Sequence, residues 1–92
     1  MTDEEFELEA LNFFRENAKY YSASYPIDFK SDALNYVKKS RSFKYKDDVE
    51  AGVLVTCLVD LGYIEFVKKE NNIRYHSLTE KGQGFINKLK FR

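Results

Sequence analysis

The sequence predicts an α+β domain: three helices, a β-hairpin and a closing helix. Apolar residues recur at helical spacing as far as Gly62, and beyond it the runs become short and rich in β-formers. Cap and turn residues stand where these patterns begin and end. The 92 residues amount to one domain, read as 1–92 without a second unit. A chain of this size buries roughly 60–70% of the surface its unfolded form exposes, enough for one core.

The first helix is expected from about Asp3 to about Tyr21. Thr2 can cap it, Glu5 follows three residues on as in a capping box, and the acids suit the positive end of the helix dipole. Phe6, Ala10, Phe13, Phe14 and Tyr21 form its apolar stripe, widened by Leu8, Leu11 and Ala18. The stretch "SASYPIDF" is a break, because Pro26 removes a donor and restricts Tyr25. Ser31 or Asp28 can cap a short second helix carrying Ala33, Leu34 and Val37, which fades into the basic, aromatic connector "KKSRSFKYK". Asp47 or Asp48 can start the third helix, "DDVEAGVLVTCLVDLG", which Gly62 ends. At about 100° per residue its inward face is Ala51, Leu54, Cys57, Leu58 and Leu61. The opposite face is centred on Asp48, Gly52, Thr56 and Asp60, flanked by Val49, Val55 and Val59.

"YIEFV" and "IRYHS" then read as paired strands, with "KKENN" supplying turn residues. Tyr75 and Leu78 cannot both face the core of a regular strand, so a bulge or an early end near Ser77 is expected. Thr79 caps the last helix, "EKGQGFINKLK", with Phe85, Ile86 and Leu89 on one side.

The formal net charge is zero, yet the charges are segregated: acids dominate Met1 to Glu16, and bases dominate Lys38 to Lys46 and Lys68 to Arg92. No apolar run approaches the roughly 20 residues of a membrane span, and the acidic N-terminus is unlike a signal peptide. With Cys57 as the sole cysteine, no internal disulfide forms; together these point to the cytoplasm. His76 is the only histidine, which disfavours the usual zinc ligand sets and places a polar residue on a strand edge. Cys57 reads as a small buried hydrophobe. There is no Gly-rich phosphate loop and no nucleophile paired with a base, so neither an enzyme nor a cofactor is expected.

The order of elements, with "LVDLGYIEF…IRYHSLTEKG" closing the chain, resembles the winged helix-turn-helix superfamily, as in small bacterial and archaeal regulators of the MarR and PadR kind. The likeness runs from about Ser31 onward and is most specific from Leu58 to Gly82. It implies that the third helix enters the major groove of DNA and that the hairpin is a wing on flanking phosphates. The outward face of the third helix departs from that pattern, because it carries no Arg, Lys, Asn or Gln.

Two functions follow. In the first, the protein is a transcriptional regulator, a homodimer through its terminal helices or third helix. It grips double-stranded DNA through Lys38, Lys39, Arg41, Lys44 and Lys46 of the connector and Lys68, Lys69 and Arg74 of the wing, with Asn71 and Asn72 at the tip. Thr56 would touch a thymine methyl, and Phe43 and Tyr45, which alternate with the connector's lysines, could stack on bases, although Phe43 also suits the core. In the second, Asp48, Gly52, Val55 and Val59 form a protein interface.

Overall fold

Each helix starts where a side-chain oxygen takes an amide that the first turn leaves without a partner. Residues 1–21 and 25–90 are described by a computed structural model; Ser22, Ala23 and Ser24 of the expected break, and Phe91 and Arg92, lie outside the described residues. Thr2 accepts from the Glu5 amide at 3.3 Å and begins α1, Asp3–Asn17. Asp28 accepts from the Ser31 amide at 3.2 Å and begins α2, Phe29–Lys39, so Asp28 rather than Ser31 is the cap. Asp47 accepts from the Glu50 amide at 3.1 Å and begins α3, Asp48–Asp60. Thr79 accepts from the Gly82 amide at 3.0 Å and begins α4, Glu80–Lys90.

α1 ends earlier than its periodicity predicts and tightens into a 3₁₀ turn, Ala18–Tyr20. Its stripe is narrower too. Ala10, Phe13 and Phe14 are fully buried, but Leu8 is 59% exposed.

The hairpin pairs β1, Ile64–Glu70, with β2, Ile73–Leu78. Asn71 and Asn72 both have positive φ, 53° and 64°, the mark of a two-residue type I′ turn. Asparagine tolerates that conformation, so both residues have a structural reason to be there. The bulge lies in β1 rather than in β2: Phe66 faces His76 and Lys68 faces Tyr75, leaving Val67 as the extra residue. The conflict between Tyr75 and Leu78 disappears because His76 and Leu78 are the buried pair and Tyr75 faces partly outward.

Ile27 adds a minimal third strand that the sequence reading missed. Its amide donates to the His76 carbonyl at 2.7 Å and its carbonyl accepts the His76 amide at 2.9 Å. Two backbone bonds thus tie the start of α2 to the hairpin. The topology is winged-helix-like: three helices, an antiparallel hairpin and a C-terminal helix around a single core.

That core is aromatic. The Phe14 ring lies 5.6 Å from both Tyr63 and Phe85 and 6.0 Å from Tyr21. Phe29 meets Tyr21 at 4.7 Å. Phe43 is buried against Phe6 and Tyr36, so it belongs to the core while Tyr45 is exposed.

Two carboxylates hold the connector against this core. Glu9 accepts from the hydroxyls of Tyr36 and Ser42. Glu50, only 8% exposed, accepts from the backbone amides of Tyr45 and Lys46. Lys46 has φ 53°, a left-handed turn that aims its amide back at Glu50. Hydrogen bonds to a charged group are worth ~1.5–3 kcal/mol each, so Glu50 explains both the shape of the loop and its own burial.

Candidate functional site

Around α3 the chain leaves one broad, open groove of about 1090 Å³. The outer face of α3 forms its floor, with Gly52, Val53 and Thr56 along the middle. One wall is the first turns of α1, with Asp3, Phe6 and Glu7; the other is the start of α2 and the wing, with Lys30, Lys69, Ile73 and Arg74. Nothing lies within 4 Å of a side chain added at Gly52, so the floor is open to a neighbour. Val49, 72% exposed, stands beside it.

Several expected site residues change place. Val55, expected on the exposed flank, is 8% exposed and joins the core against α2. Both α1 and α2 pack on α3, and what remains of Val55 at the surface still lines the groove beside Thr56. Val59 stays exposed. Cys57 and Leu61, expected inside, are half-buried and line the groove on the α1 side. The Cys57 thiol is pushed up by burial and then by the carboxylates of Asp60, Glu7 and Asp3, so thiolate is scarce at neutral pH. Thr56 donates its hydroxyl to the Gly52 carbonyl at 3.0 Å, which turns that hydrogen inward along the helix.

The basic residues do not all line the α3 groove. Lys69 and Arg74 line the α3 groove, but none of the connector's five cations does. Lys39 lines a separate hollow between α1 and α2, beside Glu16 and Asp32. Lys68 is ion-paired with Glu70 at 2.9 Å, and both are well exposed. Lys38, Arg41, Lys44 and Lys46 are exposed, as are Asn71 and Asn72. Lys44 lies over the Tyr45 ring at 5.2 Å and Lys68 over Tyr75 at 5.3 Å, so the aromatic groups steady cations rather than stand free.

No known family profile, no curated protein and no solved structure matches this chain.

Two findings had no clear signal in the sequence. Lys30 joins the wing's cations because the Ile27–His76 bridge draws the start of α2 against the hairpin. His76, expected at the surface, is 6% exposed, packed edge-on to Phe29 and Phe66, with its Nδ1 lacking a hydrogen-bond partner among the described residues. Burial, and then the Arg74 charge, lower its pKa from the usual histidine value, with Asp28 opposing.

A neutral buried imidazole makes stability depend on pH. The unfolded chain takes up this proton at higher pH than the folded one, so stability is full above about pH 6.5 and falls as pH drops below it. Urea midpoints measured between pH 7.5 and about 5.5 should fall with pH in the wild type and stay flatter in His76→Leu. An equal slope in both proteins would rule out His76 as its source. Asp32, whose pKa is raised chiefly by burial, contributes with the opposite sign, and its share is common to the wild type and His76→Leu.

Among the described residues no group of three or more His, Cys, Asp or Glu side chains is placed to hold a metal ion. No helix among them is long and apolar enough to cross a membrane.

Proposed function

We propose that this chain is a winged-helix-like protein-interaction module that takes a partner on the outer face of α3. One observation carries the reading: that face offers Asp48, Val49, Gly52, Val53 and Thr56 to an open groove, with the acids of α1 alongside. Helix-turn-helix readers meet DNA with the residues of this helix, and the bases are read by Arg, Lys, Asn and Gln. Here Asp47 and Asp48 occupy the helix N-terminus, where they oppose a phosphate. A small-residue floor next to exposed valines is instead the surface on which another helix packs closely.

A second reading, duplex DNA held by phosphate contacts alone, is favoured by one observation. The connector's five cations are exposed, and none is ion-paired among the described residues. Such binding would be sequence-independent and steeply salt-dependent.

Gly52→Arg separates the two. The position is open, so the fold should survive, and arginine is a better helix former than glycine. If DNA docks on α3, the added cation tightens binding to random duplex in fluorescence anisotropy at low salt. On the protein-docking reading, wild-type and Gly52→Arg chains bind duplex equally weakly. Micromolar wild-type affinity that falls steeply with salt would overturn that reading, a rise with Gly52→Arg placing the duplex on α3 and no change placing it on the connector.

A further inference from the structure

The cations that line the α3 groove all lie on its wing wall, where Asp28 is the acid among them, and several of the groove's charges occupy positions that local physics disfavours. Lys69 and Arg74 are cross-strand partners, two like charges directly opposite one another on the hairpin. Lys30 is a cation in the first turn of α2, against the helix dipole. These three line the wing wall with Asp28, the acid that caps α2, so that wall keeps an excess of positive charge. Across the floor, Asp60 is an acid in the last turn of α3, again against the dipole, and it joins Asp3 and Glu7 around Cys57. Departures from local rules collect where function requires them.

Resting on the protein-docking reading of α3, we propose that the partner is an amphipathic helix with a split charge: a small apolar stripe seated over Gly52 and Val53, lysine or arginine on the flank that meets Asp3, Glu7 and Asp60, and carboxylates on the flank that meets Lys30, Lys69 and Arg74. Charge complementarity sets the class of partner and its direction along the groove. Duplex DNA satisfies only the wing wall and leaves the three acids facing phosphate. A second copy laid antiparallel on its own α3 brings Asp48 of one chain towards Asp60 of the other. Neither matches both walls. His76 adds to the wing end of the groove a buried polar ring whose Nδ1 has no partner among the described residues.

The test uses three labelled helical peptides of about 18 residues with one shared alanine and leucine stripe. One carries lysines on one flank and glutamates on the other, one carries lysines on both, and one glutamates on both. Anisotropy titrations of the whole chain at low salt should rank the split-charge peptide at least about tenfold tighter than either uniform one. Gly52→Arg should abolish the binding, and the double variant Lys69→Glu with Arg74→Glu should shift the preference to the all-lysine peptide. A uniform peptide bound as tightly as the split one overturns the split-charge partner and leaves α3 docking standing. No peptide bound at roughly 100 μM, the weak end of useful affinity, overturns the proposal. If random duplex is bound by the same sample, the docking reading fails with it.

Discussion

Gly82→Ala is expected to cost about 3 kcal/mol, at the upper end of overpacking penalties, and to lower the melting temperature by roughly 10–20 °C. A methyl group at Gly82 would lie 2.1 Å from the Tyr63 carbonyl oxygen and 3.0 Å from its carbon. Both are backbone atoms, which no rotamer change can move. They are also in use, because the Tyr63 carbonyl accepts the Thr79 amide at 3.1 Å. Gly84, two residues on, has nothing within 4 Å of the same added atom. Gly84→Ala should therefore stabilise the chain by about 0.5–1 kcal/mol, the helix-interior gain of alanine over glycine. Opposite signs at two glycines of one helix can be read in a single pair of thermal melts followed by circular dichroism. Equal effects would show that α4 does not press on the Tyr63 backbone.

Phe14→Ala should be larger still, about 3–5 kcal/mol. Its ring is fully buried and joins Tyr21, just past the 3₁₀ turn that follows α1, to Tyr63 before the hairpin and Phe85 on α4. The whole stability of a chain this long is of the order of 5–14 kcal/mol, so this variant loses roughly a fifth or more of it. Phe14→Leu, which keeps most of the volume, should cost less than about 1.5 kcal/mol. The comparison is a pair of urea denaturation curves. If alanine and leucine cost the same, ring contacts rather than filled volume hold this region together.

The two predictions also explain what the most specific part of the sequence does. "LGY" and "LTEKG" form a clasp between the end of α3 and the start of α4. Gly62 has φ 82° and ends the helix. Thr79 donates its hydroxyl to the Gly62 carbonyl while capping α4, and Lys81 donates to the Leu61 carbonyl at 2.7 Å. Lys81 also lies over the Tyr63 ring at 5.0 Å, and Gly82 lets α4 approach the Tyr63 backbone. Every one of these roles is architectural. The residues that resemble a DNA-binding superfamily therefore speak for the arrangement of helices and wing, and carry no information about what α3 touches.

The sequence by itself determined the element order, the helix starts and the turn. These depend on neighbours within a few residues: Thr2, Asp47 and Thr79 cap because an amide lies two or three positions on, and Asn71-Asn72 turns because asparagine tolerates positive φ. It also showed, from composition alone, that the outer face of α3 lacks the side chains that read bases. Only the tertiary structure decided which flank of α3 was covered, burying Val55 while leaving Val49 and Val59 out. It decided that His76 goes inside, because the bridge from Ile27 and the ring of Phe29 come from a segment nearly fifty residues earlier. It left the connector's cations out of the α3 groove, and brought Lys30 to Lys69 and Arg74 across from Asp3, Glu7 and Asp60. A helical wheel assigns each residue an angle, but the neighbours that fill those angles come from distant parts of the chain, and only packing brings them together.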